Sequence, residues 1–321
     1  PPGSLGRLEE LAVRIAGLTA NPVPFLDKKV VFVLAADHGV VRQGVSPYPQ
    51  AVTAQMVANF AAGGAGINVL ARQARAQVVV VDMGVRTAPT AAGVLDRRLG
   101  AGTRNMTREP AMSRAQAEAA VAAGRELAAQ LAAGGTSIVL TGEMGIGNTT
   151  AASAVTAALT GRPAAEVTGR GTGLDDGALA HKITVVERAL ALHRPDPADP
   201  VGVLSAVGGF EIAGLAGLVL GAAERRIPVI LDGFITGSAA LAACLLAPAA
   251  RQYLIASHRS AEPGHRIILE ALGLEPLLDL RLRLGEGTGA ALALQLVDAA
   301  VAIRDEMAEF AEAGVSERLD G

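Results

Sequence analysis

The chain has little of what disulfide-rich, nucleic-acid-binding and membrane-spanning proteins need. Its 321 residues include one cysteine and no tryptophan, only 2% are aromatic, and the formal net charge is -3. A single cysteine cannot form an internal disulfide, so we expect a reducing compartment, the cytoplasm, and interpret Cys244 as core packing. No basic run or aromatic platform suits nucleic acid, and we expect none as a partner.

Apolar runs are also too short to cross a membrane. The longest, 212–223, is bounded by Glu211 and Glu224 and falls well short of the roughly 20 residues that a spanning helix needs. No signal-peptide pattern is visible, so we expect no membrane partner. At 50% hydrophobic residues, the chain can fill one large domain with a smaller unit beside it.

Short apolar runs alternate with helical patterns along the chain. The clearest helix spans 113–133, with Ser113 as N-cap, Gln116 completing a capping box and Gly134 after the last turn. This alternation predicts an α/β fold with a mostly parallel sheet covered by helices on both faces. The predicted strands are 30–34, 78–81, 137–140, 228–231 and 253–255, and the alternation of Leu282 and Leu284 predicts one more before Glu286.

Polar turns follow all six predicted strands. The carboxyl ends of parallel strands lie at one edge of a sheet, where ligands bind. One or two such turns are ordinary turn chemistry, whereas six acidic or histidine-bearing turns predict a shared cleft. The residues concerned are Asp37, His38, Asp82, Glu143, Asp232, Ser257, His258, Ser260 and Glu286.

Two glycine-rich stretches, 142–150 and 169–173, resemble phosphate-binding loops. The first, GEMGIGNTT, lacks the lysine of a P-loop and the GxGxxG spacing, so a nucleoside triphosphate or dinucleotide is poorly supported. It does offer backbone amides near a helix start, which suit one phosphate monoester. Lys182 follows GRGTG as a possible counter-charge, although an isolated helix lysine is as readily just solvated.

Glu286 lies between Gly285 and Gly287, just before a helix predicted over 290–303. Such a carboxylate suits a general base, but the helix dipole would equally stabilise it in a purely structural position. The five histidines are scattered without HxH or HExxH spacing, and GxSxG is absent, so we expect no catalytic metal, no cofactor and no covalent nucleophile. General-base catalysis by a carboxylate is the economical mechanism.

Two other classes of protein were weighed. A Rossmann-type oxidoreductase would carry GxGxxG after a strand, with an acidic residue about 20 positions on; neither 30–34 nor 78–81 is followed by one. A catalytically silent nucleotide-binding regulator would have lost the carboxylates or the glycine-rich loops, yet Glu286 and Glu143 are present.

Taken together, the motifs resemble the nicotinate-nucleotide:dimethylbenzimidazole phosphoribosyltransferase family over nearly the whole chain. The segments concerned are PPGSLGRLE, ADHGV, YPQAVTAQMVANF, GEMGIGNTT, VGGFEIAG, LDGF, SHRSAEPGH and LGEGTGAA. The family pattern normally begins upstream of PPGSLG, so further residues are expected before it.

The resemblance implies a Rossmann-like large domain over 25–290 and a small helical domain formed by 1–24 and 291–321, in a homodimer. It implies transfer of phosphoribose from nicotinate mononucleotide to 5,6-dimethylbenzimidazole, giving α-ribazole 5′-phosphate and nicotinate with anomeric inversion. Glu286 matches the family's proton acceptor and Glu143 a second active-site carboxylate. The substrate-binding set expected with them is Met144, Gly145, Gly169, Gly171, Lys182, Asp232, Ser260, Leu284 and Gln55.

The acceptor base is the open point of the resemblance. Some family members read SPKEVTAIQ, with a serine and a glutamine facing the base, where this chain has SPYPQAVTAQM. Ser46 or Tyr48, and Gln55 or Met56, therefore compete for these positions. The acceptor stays open among dimethylbenzimidazole, benzimidazole, adenine and phenolic compounds.

Overall fold

A six-stranded parallel sheet forms the centre of the computed structural model, which describes residues 3–19, 26–87 and 91–316. The strand order is β3-β2-β1-β4-β5-β6, and every neighbouring pair is parallel. The strands are β1 (Lys29–Ala36), β2 (Gln77–Gly84), β3 (Leu95–Asp96), β4 (Ile138–Met144), β5 (Val229–Leu231) and β6 (Leu254–Ala256).

Helices connect the strands and cover both faces of the sheet. They are α1 (Arg7–Thr19), α2 (Ala51–Ala62), α3 (Gly66–Gln73), α4 (Arg114–Ala133), α5 (Asn148–Thr160), α6 (Ala164–Val167), α7 (Asp176–His193), α8 (Pro200–Val207), α9 (Phe210–Glu224), α10 (Phe234–Leu246), α11 (Pro263–Leu272) and α12 (Thr288–Glu306). Two 3₁₀ helices span Gly39–Gln43 and Pro248–Tyr253.

Alternate residues of β1 enter two separate hydrophobic cores. Val30, Phe32 and Leu34 pack in one core with residues of α4, α5, α9 and α10. Val31 and Val33 pack in the other with residues of α1, α2, α3 and α12. Because successive side chains of a strand point to opposite faces, a strand buried on both faces must be apolar throughout, as the run over 30–34 is.

The strand order reverses between β1 and β4. From β1 the chain adds β2 and β3 on one side, and then returns to add β4, β5 and β6 on the other. Loops leave this point in opposite directions and open a crevice at the carboxyl ends of the strands, where ligands of doubly wound sheets bind. Glu143, near the end of β4, lies at this crevice.

The α/β fold predicted from the sequence is confirmed, with five of the six predicted strands. The capping box of α4 is present, since Gln116 N donates to Ser113 Oγ at 3.1 Å. The strand predicted before Glu286 is wrong. Arg281 has a left-handed φ of 55°, which breaks the extended run, and Leu284 is 62% exposed, so the alternating leucines do not form a buried face.

Segment 277–282 instead lies beside 256–261 through isolated backbone hydrogen bonds, such as Leu278 N to Ser257 O at 3.0 Å and Ala261 N to Leu282 O at 3.0 Å. The sixth strand is β3, whose two residues are too few to give a pattern in sequence.

Helices α1 and α12, from the two ends of the chain, contact each other. Leu11 and Ile15 of α1 share the second core with Val297 and Val301 of α12. That core also contains strand residues, and the division into a large domain over 25–290 and a small one from both ends stays a prediction. Parts of the predicted small domain, 1–2, 20–24 and 317–321, lie outside the described residues.

Candidate active site

A cavity of about 460 Å³ opens at the carboxyl ends of β4, β5 and β6. Four of the six predicted turns line it, through Glu143, Asp232, His258 with Ser260, and Glu286. The turns after β1 and β2 do not. Their acids instead accept backbone N–H groups: Asp37 from Arg86, and Asp82 from the residues that end β2. The predicted shared cleft is therefore present, but only four of the six predicted turns line it.

Glu286 is carried by a turn with an unusual backbone. Gly285, Glu286 and Gly287 all have left-handed φ angles, of 85°, 64° and 96°. This conformation costs a non-glycine residue about 1–3 kcal/mol. The surroundings impose it: Gly142 of β4 lies so close that an added Cβ would be 2.3 Å from the carbonyl oxygen of Glu286.

The carboxylate of Glu286 reaches the start of α3. Ile67 N donates to Oε2 at 3.2 Å, and within the described ranges Oε1 has no hydrogen-bond partner. Burial raises the pKa of this carboxyl, while the amides of Ile67 and Gly66 oppose the rise. Glu286 is 6% exposed and still lines the cavity. One oxygen is thus anchored at a helix N-terminus and the other can accept a proton.

Asp232, just after β5, is held far more completely. Its Oδ1 accepts from Gly289 N at 2.8 Å and Ala290 N at 3.1 Å, and its Oδ2 accepts from Gly287 N at 3.3 Å. Burial raises the pKa of Asp232 to about 7, against the opposing effect of these donors. The carboxylate caps the first turn of α12 from across the sheet and fixes the turn that carries Glu286.

Glu143 lies between these two acids and is buried. Asn148 Nδ2 donates to its Oε2, and Gly285 is in close contact with its Oε1. Burial raises the pKa of Glu143 to about 8, with the charge of Asp232 adding to the effect and Asn148 opposing it. At neutral pH this carboxyl is therefore mainly protonated and can donate a hydrogen bond.

The second glycine-rich loop is held from both sides by a buried pair of opposite charges. Lys182 Nζ donates to Gly169 O at 3.1 Å and to Thr149 Oγ1 at 2.9 Å. Glu262 Oε1 accepts from Gly171 N at 2.9 Å. Burial lowers the pKa of Lys182 to about 8, with Glu262 opposing the shift. Gly171 lines the cavity, whereas Lys182 and Gly169 do not, so these two support the loop from behind.

An apolar wall faces the acids. Met144 and Leu284 line the cavity as predicted, together with Val52 and Met56 of α2. Gln55, which the sequence analysis put in the substrate-binding set, is exposed and lies outside the cavity. On a helix, Val52 and Met56 are four residues apart and share a face, and Gln55 points about 100° away from Met56 and about 60° away from Val52.

Several lining residues were missed by the sequence analysis. Glu262 lies within SHRSAEPGH and Arg283 directly precedes LGEGTGAA, but nothing in their spacing separates them from surface charges. Arg283 Nη1 donates to Gly171 O at 3.2 Å, which brings a permanent positive charge to the glycine-rich loop. Asn148 was visible as the first polar residue after the GEMGIG turn. The others are Val52, Ile146, Thr149, Thr172, Gly233, Phe234 and Ile235, whereas Tyr48, a candidate alongside Ser46 in the sequence, lines the cavity and Ser46 does not.

Among residues 3–19, 26–87 and 91–316, no group of three or more histidine, cysteine, aspartate or glutamate side chains could hold a metal ion. No helix in the same part of the chain is long and apolar enough to cross a membrane.

The geometry therefore combines a half-anchored carboxylate, a mainly protonated carboxyl, a clamped glycine-rich loop beside an arginine, and an apolar wall. Ser260 and Gly145 line the same cavity. Such a site can hold an anionic group at the loop and a flat apolar group near Glu286, and it can remove a proton from the latter.

Known phosphoribosyltransferases are similar to this chain over nearly its full length. A family model described as "Phosphoribosyltransferase" matches residues 1–315. The nicotinate-nucleotide–dimethylbenzimidazole phosphoribosyltransferase of Chloroflexus aggregans is 60% identical over 321 residues, which is 100% of this chain and 91% of the relative. The protein of the same name from Geobacter metallireducens is 57% identical over 321 residues, with the same coverage.

Among solved structures, the crystal structure of CobT from Thermus thermophilus superposes with a TM-score of 0.94 at 50% identity, covering 99% of this chain and 95% of that chain. The family model and the identity of these relatives leave one assignment: the chain belongs to the nicotinate-nucleotide–dimethylbenzimidazole phosphoribosyltransferase family and is a phosphoribosyltransferase.

Proposed function

We propose that this enzyme transfers the phosphoribosyl group of nicotinate mononucleotide to 5,6-dimethylbenzimidazole or a related base, giving α-ribazole 5′-phosphate and nicotinate with inversion at the anomeric carbon. The observation that carries the proposal is the Glu286 carboxylate at the cavity wall, whose Oε2 is anchored at Ile67 N and whose Oε1 has no hydrogen-bond partner among the described residues. The names of the relatives supply the substrates.

The bond changes in this reaction call for one base and no acid. A nitrogen of the incoming azole attacks C1′ as the bond from C1′ to the pyridinium nitrogen breaks. The electrons of that bond neutralise the pyridinium, so nicotinate leaves without protonation. The proton on the other azole nitrogen must be accepted, and Glu286 Oε1 is the proposed acceptor. Attack from the face opposite nicotinate converts the β-nucleotide to the α product.

Glu143 and Glu286 lie in different environments, which suit them to different roles. The pKa of Glu143, raised to about 8 by burial, keeps this carboxyl mainly protonated at neutral pH, so it is unsuited to accept the proton. Glu286 is less strongly desolvated and has the amides of Gly66 and Ile67 beside its carboxylate. We assign the base to Glu286 and give Glu143 the role of a neutral neighbour that donates a hydrogen bond to substrate.

The loop at Gly171 suits the phosphate. Arg283 and Lys182 contribute positive charge there, and Ser260, Thr149 and Gly145 belong to the same neighbourhood. Because Lys182 is fully buried, we propose that it acts through Gly169 and Thr149 rather than by touching the phosphate. Gly169 is likewise proposed as support of this loop.

The base is proposed to lie against Leu284, Met144 and Met56. A methyl group placed on Gly66 would be 3.2 Å from Leu284 Cδ2 and 3.3 Å from Glu286 Oε2, so the apolar wall adjoins the carboxylate. A thioether beside a flat aromatic ring is a favourable contact. Adenine and phenolic acceptors remain alternatives, because the wall offers few polar groups to choose among bases.

The test is incubation of the enzyme with nicotinate mononucleotide and a panel of 5,6-dimethylbenzimidazole, benzimidazole, adenine and phenol. Nicotinate release is followed by chromatography, and the anomeric configuration of each product by NMR. We expect α products, with the highest kcat/KM for a benzimidazole. A β product would contradict direct displacement, and absence of turnover with every base would support the silent nucleotide-binding alternative.

Two further features stay predictions that rest on the resemblance alone. The homodimer is checked by light scattering on the purified enzyme, where a mass near twice 32.4 kDa is expected. The cytoplasmic location is checked by fractionation of the source cells.

A further inference from the structure

His258, in the turn after β6, is a cavity residue to which the proposed reaction gives no role. It is 3% exposed, and its ring presents two different edges. The Nδ1 edge faces α12, where a Cβ added to Gly289 would lie 2.0 Å from Nδ1 and 2.3 Å from Cε1. Nε2 faces Gly233 instead, where an added Cβ would lie 3.6 Å from Nε2 and 3.7 Å from Ser260 Cβ. Gly233 and Ser260 both line the cavity, so this second edge is on the substrate side.

The hydrogen bonds of Ser257 determine which ring nitrogen carries the proton. Ser257 Oγ lies 3.1 Å from the carbonyl oxygen of Asp232 and 2.9 Å from His258 Nδ1. A carbonyl can only accept and a serine hydroxyl has one hydrogen, so that hydrogen satisfies the buried carbonyl. His258 Nδ1 must then donate to Ser257 Oγ. Giving the hydroxyl hydrogen to Nδ1 would leave the carbonyl without this donor.

Protonation of the second nitrogen is disfavoured. Burial lowers the pKa of His258 to about 4, against the opposing charge of Asp279. The ring is therefore neutral at pH 7 to 8, and Nε2 carries a lone pair. Nε2 has no hydrogen-bond partner in the part of the chain that the structure describes. His258 is thus a fixed hydrogen-bond acceptor on the cavity side.

We propose that His258 Nε2 accepts a hydrogen bond from a ribose hydroxyl of the nucleotide and so selects ribonucleotides over deoxyribonucleotides. This inference rests on the proposed function for the identity of the nucleotide. At pH 8 the carboxylate and phosphate of nicotinate mononucleotide only accept hydrogen bonds, and its donors are the 2′- and 3′-hydroxyls. The single N–H of the azole is already matched with Glu286, so a ribose hydroxyl is the donor that fits His258.

Two amide variants test the contributions of the two edges of the ring separately. The amide of asparagine reaches about as far as Nδ1, so His258→Asn keeps a donor for Ser257 and removes the cavity acceptor. The amide of glutamine reaches about as far as Nε2, so His258→Gln keeps a cavity acceptor and loses the Ser257 bond. A purely structural role would make His258→Gln the more damaging change, and would affect all ligands equally.

The experiment measures binding of nicotinate mononucleotide and its 2′-deoxy and 3′-deoxy analogues by calorimetry at pH 8. For the wild type we expect one deoxy analogue to bind about three- to tenfold more weakly than the ribonucleotide. In His258→Asn that ratio falls below about twofold, and in His258→Gln it persists. The thermal midpoint of each variant shows that the protein compared is folded.

Two results would overturn the inference: neither analogue binds more weakly to the wild type, or His258→Asn keeps the full ratio. Because binding is read without turnover, failure of the base panel leaves this test intact. Conversely, turnover with a benzimidazole together with an unchanged ratio in His258→Asn would retain the proposed function and remove His258 from ribose recognition.

Discussion

The turn that carries Glu286 and the end of β5 that carries Asp232 bring two buried carboxylates to one cavity but use their oxygens differently. Asp232 receives three backbone N–H bonds from 287–290, and both of its oxygens are occupied. Glu286 Oε2 accepts one, from Ile67 N, with the Gly66 amide also beside the carboxylate. The backbone of Glu286 has a left-handed φ of 64°, whereas Asp232 is not among the residues with positive φ.

The number of hydrogen-bond donors to each carboxylate, together with the backbone that carries it, distinguishes a structural acid from a catalytic one better than residue type or burial does. Asp232 is 1% exposed and Glu286 6%, and burial raises both pKa values. What distinguishes them is the free oxygen of Glu286 and the strain around it, which the donors to Asp232 help to maintain. Strained residues of this kind concentrate at functional sites.

The largest expected effect, a loss of turnover, follows from replacing Glu286 by glutamine. The amide keeps the size of the side chain and an acceptor for Ile67 N but cannot take a proton, so we expect kcat to fall about 10² to 10⁴-fold. Steady-state kinetics with saturating nucleotide and base measure the effect. Glu270→Gln, at an exposed glutamate of α11 paired with Arg266, is the matched control and is expected to keep wild-type activity.

Removing the carboxylate of Asp232 would remove the cap of α12 and destabilise the protein. Asp232→Ala leaves the N–H groups of Gly287, Gly289 and Ala290 without their acceptor, and we expect the free energy of unfolding to fall by about 2–5 kcal/mol. Urea denaturation measures it. Asp298→Ala, at a partly exposed acid of α12 paired with Lys29, should cost about 0–1 kcal/mol. Equal losses in the two variants would mean that Asp232 is not the cap of α12.

Glu143, between the two regions, gives a pH-dependent effect on stability. Its folded pKa is raised to about 8, so its contribution to stability is intact below the unfolded value and is lost as pH rises through the folded value. Glu143→Gln removes this ionisation. We expect it to be more stable than the wild type by on the order of a few kcal/mol at pH 8.5, and by much less at pH 5. A gain that is the same at both pH values would contradict the raised pKa.

The smallest expected effect concerns the apolar wall beside Glu286. Met56→Ala removes part of that wall and should raise KM for the base by roughly fivefold, about 1 kcal/mol. Its neighbour Gln55→Ala is the matched control and should leave KM unchanged within about twofold, because Gln55 lies outside the cavity. A larger increase in KM for Gln55→Ala than for Met56→Ala would support the assignment of Gln55 to the base.

The sequence predicted what local patterns control. Buried strands contain continuous apolar runs, 30–34 in β1 and 138–140 in β4, and the ends of α4 carry their own caps, so these elements could be placed without the structure. The strand before Glu286 was predicted wrongly because Leu282 and Leu284 alternate as in a strand. Only the structure reveals the left-handed Arg281 between flanking loops.

At the site, Glu286 and Glu143 could be picked out because the glycines beside them, Gly285 and Gly287 or Gly142, are a local sequence signal. The partners of these acids could not. Asp232 meets Gly289 across 57 residues, and Glu262 meets Gly171 across 91. For Lys182 the sequence left open a counter-charge to an anion and a merely solvated lysine, and its complete burial depends on packing that no local pattern encodes.

The most direct test of the central claim is the pH dependence of the single-turnover rate, compared between the wild type and Glu286→Gln. In the wild type the rate should fall about tenfold per pH unit on the acid side as Glu286 becomes protonated, with a midpoint above the usual glutamate pKa of 4.5 because burial raises it. The account predicts that Glu286→Gln loses this acid limb and is slow throughout. An acid limb of the same midpoint and slope in Glu286→Gln would assign the base to another group and contradict the account.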